Sequence, residues 1–150
     1  MSTILRMLIA GGVCVIALSS CGNDPPPPPS TNTGSSCTAD NQCYAALDGA
    51  ALMGGAPLCL TRAAGGYCTH LCSADTDCCA LAGECQTGVV EVCSPFESMG
   101  SKYCFLSCED SIVNKAGLAD ANLYCQQYAS RAFGCRSTGG GAANRKVCLP

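Results

Sequence analysis

Cysteine is the residue of this chain with the greatest capacity for chemistry, with 16 copies among 150 residues. Cys37, Cys43, Cys59, Cys68, Cys72, Cys78, Cys79, Cys85, Cys93, Cys104, Cys108, Cys125, Cys135 and Cys148 follow residue 36, while Cys14 and Cys21 precede it. Thiols at this density ligate metal, exchange electrons or pair into bridges. Zinc favours C-x2-C pairs, whereas the tight pairs here are Cys68-x3-Cys72 and Cys104-x3-Cys108. Dithiol redox centres need C-x-x-C at a helix start, a spacing that does not occur. Bridges are therefore expected, with no metal and no cofactor. Adjacent Cys78-Cys79 has two readings, a strained vicinal bridge that acts as a switch or two bonds to different partners that pin crossing strands. Disulfide geometry favours the second.

The other reactive side chains are sparse. His70 is the single histidine, and a metal or acid-base role would need partners at recognisable spacing, which are lacking. Cys68-Thr-His-Leu-Cys72 differs from the haem attachment pattern C-x-x-C-H. Asp75-Thr76-Asp77 begins like a calcium loop, but Cys78-Cys79-Ala80-Leu81-Ala82 follows where glycine and glutamate are required. Short acidic loops of this kind cap turns through side-chain oxygens. Gly139-Gly140-Gly141 lacks the lysine and hydroxyl of a phosphate loop. No nucleophile, base and orienting acid can be assembled.

Three segments must position these groups. Residues 1–20 have a basic start at Arg6, an apolar run from Met7 to Leu18 and small residues at the end, the parts of an export signal. The run is too short to span a bilayer as a helix. Leu18-Ser19-Ser20-Cys21 resembles the bacterial lipobox. That resemblance implies removal of the leader before Cys21, a diacylglyceryl group on its thiol and further acylation of the new amino terminus. Several acyl chains make a stable anchor, since each buried methylene contributes about 0.8 kcal/mol. Gly22 stands where the enterobacterial sorting pattern would place an inner-membrane aspartate, which implies the outer membrane. An ordinary secretory signal is the alternative.

Residues 21–36 read as the lipidated cysteine and a tether. Pro25 to Pro29 should form an extended rod of roughly 15 Å at about 3.1 Å per residue, and Ser30 to Ser36 a flexible continuation. Such a run next to an anchor reads as a spacer rather than a ligand for an aromatic groove. Charge is uneven along the chain. Eight acids between Asp24 and Glu97 face only Arg62, whereas Lys102, Lys115, Arg131, Arg136, Arg145 and Lys146 outnumber the acids after residue 100. The domain is expected to be polar end to end. No basic run is dense enough for nucleic acid.

Setting aside Cys14 and Cys21 leaves fourteen cysteines in residues 37–150, an even number that fits seven bridges in an oxidising compartment. The possible connectivities number on the order of 10⁵, and the sequence does not choose among them. Eight aromatic residues promise a thin core. Cys37-Thr-Ala-Asp-Asn-Gln-Cys43 is echoed by Cys72-Ser-Ala-Asp-Thr-Asp-Cys78, and Tyr67-Cys68-x3-Cys72 by Tyr103-Cys104-x3-Cys108, at intervals of 35 and 36 residues. A degenerate third unit follows from Cys108 to Cys148. Such a period marks a small module stabilised by bridges and stacked neighbours.

The expected fold is a small disulfide-rich domain with two tandem cysteine-rich units. Each carries a hairpin, Pro57–Arg62 with Tyr67–Leu71 and Val89–Ser94 with Lys102–Ser107, turning at Gly65-Gly66 and Met99-Gly100. One amphipathic helix is expected over about 120–133, capped by Asp120, ended by Gly134, with Ala121, Tyr124, Cys125, Tyr128, Ala129 and Ala132 inward. Over residues 37 to 108 the pattern resembles cysteine-rich repeats of uncharacterised bacterial surface lipoproteins and, more faintly, the N-terminal module of Dickkopf-type secreted proteins. It carries over no functional residue. The long Cys43–Cys59 gap and the Cys78-Cys79 pair break a strict repeat.

These readings imply a membrane-anchored extracytoplasmic protein of the bacterial cell envelope. Its domain is expected to be a structural or binding module, not an enzyme, with a protein or envelope partner. A disulfide-rich enzyme inhibitor that inserts a loop such as Ala45–Gly55, or a small enzyme with an unrecognised site, is the alternative.

Overall fold

The computed structural model describes residues 31–85 and 89–150. The expected leader, Cys21 and the proline run lie outside the described residues. Three two-stranded antiparallel hairpins succeed one another along the chain. The first pairs β1 (Pro57–Cys59) with β2 (Cys68–His70), and the second pairs β3 (Glu91–Pro95) with β4 (Lys102–Leu106). Both lie where β-prone runs flanking glycine turns place them. Gly66 needs its left-handed φ of 72°, and a Cβ there would sit 1.9 Å from the Cys37 carbonyl oxygen.

The third unit departs from expectation. Its helix α2 covers Ala121–Tyr128 instead of about 120–133. Asp120 caps it as expected, accepting from the Asn122 and Leu123 N–H groups. The chain leaves the helix at Ala129 because Phe133 packs into the core and Cys135 must face Cys148 across a further hairpin. Gly134 therefore begins β5 (Gly134–Ser137), paired with β6 (Lys146–Leu149), and does not end a helix. Ala129 and Ala132 extended the helical spacing without being helical, and Tyr128 is 44 % exposed, not inward. A short helix α1 (Asp110–Lys115) precedes α2.

Successive hairpins are stitched by the same contact. Leu71, leaving β2, bridges Tyr103 of β4, and Ser107, leaving β4, bridges Val147 of β6. One residue further on, Cys72 N–H donates to the Lys102 carbonyl and Cys108 N–H to that of Lys146. One apolar cluster runs through all three units, with Tyr67, Phe105, Phe96 and Phe133 in ring-to-ring contact at 5.3–6.0 Å. Seven of the eight aromatic residues are buried.

One further expectation is corrected. Thr31 to Ser36 do not continue a flexible tether. Asn32 and Thr33 are buried, Gly34 N–H donates to the Cys68 carbonyl, and Cys68 N–H donates to that of Ser35. This strap lies beside β2 much as the exit of one hairpin lies beside the next, so it covers an edge that a stacked repeat would otherwise expose. Ion pairs also tie the units together or close within one of them. Arg145 reaches Glu109 (2.5 and 2.8 Å) and Asp75 (3.1 Å), while Lys146 meets Asp110 and Arg62 meets Glu97. The Arg145–Asp75 pair follows from stacking the third unit on the second.

Candidate functional site

All fourteen cysteines of residues 37–150 are bridged. With Cys79 and Cys85 set aside, each unit has four cysteines and repeats one pattern, the first bonded to the third and the second to the fourth. The pairs are Cys37–Cys59 and Cys43–Cys68, then Cys72–Cys93 and Cys78–Cys104, then Cys108–Cys135 and Cys125–Cys148. The third and fourth cysteines of each unit are direct cross-strand partners: Cys59 with Cys68, Cys93 with Cys104, Cys135 with Cys148. Two bridges thus clamp a preceding loop onto a single rung of its hairpin, one bridge to each strand. Closing loops of 21 to 27 residues, each clamp bridge contributes about 3.4 kcal/mol on the chain-entropy account. The geometry also brings sulfurs together, since those of Cys37, Cys43 and Cys68 lie within 4.8 Å of one another, as do those of Cys72, Cys78 and Cys104. As bridge sulfurs they carry no thiolate to ligate a metal.

The acidic loops are part of the clamp. Asp40 Oδ1 accepts from Cys59 N–H at 2.8 Å, and Asp75 Oδ1 from Cys93 N–H at the same distance. Asn122 Oδ1 accepts from Cys135 N–H at 2.9 Å, so all three units share the device three residues before their second cysteine. The third unit is therefore a full repeat interrupted by α1 and the approach to α2. Gln42 and Asp77 are equivalent too, each accepting from two N–H groups at the loop start. Those donors from Ser73 and Ala74 hold the Asp77 carboxyl below its ordinary range. Asp75 differs in also meeting Arg145. Hydrogen bonding to Arg145 likewise lowers Glu109 and raises Arg145 itself.

Under the strap lies a polar cluster that sequence reasoning missed. His70 and Glu84 are both fully buried, with Nε2 2.7 Å from Oε1. His70 Nδ1 lies 2.9 Å from the Leu71 carbonyl, which can only accept, so that nitrogen carries a proton. Glu84 also accepts from Cys79 N–H and Leu81 N–H, both at 2.9 Å, and so folds the 79–84 loop around itself. His70, read as an ordinary side chain, anchors this loop with no path to solvent.

Glu91 is the second buried carboxyl. The Thr33 hydroxyl donates to Oε2 at 2.7 Å and also contacts the Tyr44 hydroxyl. Burial, reinforced by Glu84 and opposed by the Thr33 hydrogen bond, pushes Glu91 up to about 8. Desolvation and the Glu91 charge also raise the Tyr44 phenol. The other carboxyl oxygen, Oε1, lies 3.1 Å from Cys85 Sγ. A bridged sulfur has no proton to give, so the hydrogen in that contact comes from Glu91. The available signal was a lone acid in the β-prone run Val89-Val90-Glu91-Val92.

Adjacent Cys78 and Cys79 bond to different partners, Cys104 and Cys85. Cys79–Cys85 stands outside the threefold clamp. Tyr44 occupies the same place in the first unit, one residue past the second cysteine, and both positions are left-handed, φ 56° and 81°. The apparently long Cys43–Cys59 gap thus matches Cys78–Cys93, into which the seventh bridge is inserted.

No protein family, curated protein or solved structure matches the chain. Among the described residues, no helix is long and apolar enough to cross a membrane.

Proposed function

We propose that this protein is a lipid-anchored component of the bacterial cell envelope whose disulfide domain binds a protein or envelope partner. The anchor reading rests on Leu18-Ser19-Ser20-Cys21, and Gly22 favours the outer membrane. Support for the binding reading comes chiefly from the place where the third unit breaks the repeat. The inserted stretch between Cys108 and Cys125 leads into α2, which holds Leu123 and Tyr128 out at 40 % and 44 % exposure, with Tyr128 stacked on Tyr124 at 4.9 Å. A rigid aromatic and an aliphatic side chain on a bridged helix lose little entropy on binding, which is how anchor residues gain affinity.

Two measurements test this. Metabolic labelling with a fatty acid should mark the full chain and fail in Cys21→Ser; unchanged labelling in that variant refutes the anchor. A photoreactive residue at Leu123 or Tyr128, in the full chain in its native envelope, should give a discrete crosslinked species that Leu123→Glu abolishes from position 128. Saturable turnover in a broad substrate screen, lost with one substitution, would replace the binding reading with an enzymatic one.

A further inference from the structure

Six of the seven bridges are built into the clamps and are deeply placed. In five of them both cysteines are buried, and the sixth joins half-buried Cys135 to fully buried Cys108. The seventh is unlike them. Cys79 is exposed, Cys85 half-buried, and both line an open depression of about 480 Å³ with Val89, Val90 and Glu91. Opening it would break no clamp, since the first unit holds the same backbone shape with Tyr44 in place of Cys79. Glu91, 4 % exposed, directs Oε1 at Cys85 Sγ from the inner side.

We propose that the Cys79–Cys85 bridge is a thiol-reactive site that takes electrons from a dithiol donor, with Cys79 as the sulfur attacked and Glu91 as the acid that protonates the departing Cys85. A donor thiolate attacks Cys79 Sγ from solvent and forms a mixed disulfide as the Cys79–Cys85 bond breaks. The electron pair of that bond passes to Cys85 Sγ, which takes the Glu91 proton. The donor's second thiolate then displaces Cys79, which is protonated from water, as Glu91 is in turn. Two electrons have moved, the donor has become a disulfide, and Cys79 and Cys85 have become thiols. The order of attack follows from access, because only Cys79 is exposed, and the leaving sulfur is the one beside a proton.

Titratable and polar groups surround Glu91 from several elements: Thr33 on the strap, Glu84 on the 79–85 loop with His70 behind it, and Tyr44 and Tyr67 from the first unit, while Asp75 lines the same depression. Since Glu91 holds its proton up to about pH 8, the acid is present at neutral pH and lost above it.

The test uses the full chain in detergent, limiting dithiothreitol as the dithiol, and iodoacetamide trapping with peptide mapping from pH 6 to 9.5. Cys79 and Cys85 should be alkylated together, about tenfold or more ahead of every other cysteine. The opening rate per dithiothreitol thiolate should fall about tenfold as pH rises through 8, and Glu91→Gln should be slower by about as much at pH 7, with a flat profile. Clamp cysteines labelled at a comparable rate would overturn the site. A flat wild-type profile would overturn the role of Glu91, and this decides the matter even if the variant does not fold. Equal rates in both proteins would reduce the bridge to one opened by exposure alone.

Discussion

Exchanging the Glu91 carboxyl for an amide should stabilise the protein at neutral pH, although the residue is buried and hydrogen-bonded. Folded, Glu91 keeps its proton up to about 8; its ordinary value, which stands for the unfolded chain, is 4.5. The folded state therefore binds this proton more tightly. The stability it contributes is complete below pH 4.5 and is lost as pH rises toward 8, because the unfolded chain gains by ionising first. Each pH unit in that window is worth about 1.4 kcal/mol, so the wild type should lose about 3 kcal/mol through this group between pH 4.5 and 7. Glutamine has no proton to lose and can still accept from Thr33. Glu91→Gln should match the wild type within about 1 kcal/mol near pH 4 and exceed it by about 3 kcal/mol at pH 7. Asp77 and Glu109, whose lowered values act in the opposite sense at acid pH, cancel in the difference between the two proteins. Guanidinium unfolding with bridges intact, followed by near-ultraviolet circular dichroism of the tyrosines, measures both curves. Parallel curves between pH 4.5 and 8 would refute the reasoning.

Other perturbations have expected outcomes of similar definiteness. Asp40→Ala removes one hydrogen bond to a hairpin cysteine N–H and should cost about 1 to 2 kcal/mol; Asp75→Ala, which also takes from Arg145 one of its two carboxylate partners, should cost more and lose the excess in high salt, as denaturation with added sodium chloride will measure. Glu84→Ala strands buried His70 and two N–H groups, so a loss of about 3 to 5 kcal/mol in the same assay is expected. The intact mass of the non-reduced domain should lie about 14 Da below that of the reduced chain, two hydrogens for each of seven bridges, and alkylation before reduction should add nothing.

The sequence made the architecture legible wherever spacing carried a physical constraint. Cysteines recurring at 35 and 36 residues marked stacked units, and glycines between β-prone runs marked two hairpins. Aspartates before Cys43 and Cys78 marked capped loops. The third hairpin was hidden because a helical periodicity ran through Ala129 and Ala132 into residues that tertiary packing draws elsewhere, and because Asn122 does the work of aspartate at a shifted distance from Cys108. The strap was hidden by its composition: Thr31 to Ser36 read as a solvated linker, and only the tertiary fold supplies the Glu84 carbonyl that takes the Asn32 amide and the Glu91 carboxyl that takes the Thr33 hydroxyl. Bridge pairing could not be read at all, since it depends on which loop each hairpin meets in space.

The cross-strand placement of the hairpin cysteines has a cost during maturation. Cys59 faces Cys68, Cys93 faces Cys104 and Cys135 faces Cys148, at the separation of about 4.5 to 5.5 Å typical of opposed residues, which is within disulfide reach. In a hairpin that forms before its loop has docked, the nearest partner of each of these sulfurs is therefore the wrong one. Hairpins form in about 1 to 10 microseconds, long before thiols oxidise, so rung bridges are natural early products that leave eight loop cysteines, Cys79 and Cys85 among them, to pair among themselves. Such an isomer has the same mass as the native chain and differs only in its peptide map. A compartment that oxidises this chain without also shuffling its bridges should accumulate hairpins without clamps, so the yield of native protein is expected to follow isomerase activity more closely than oxidase activity.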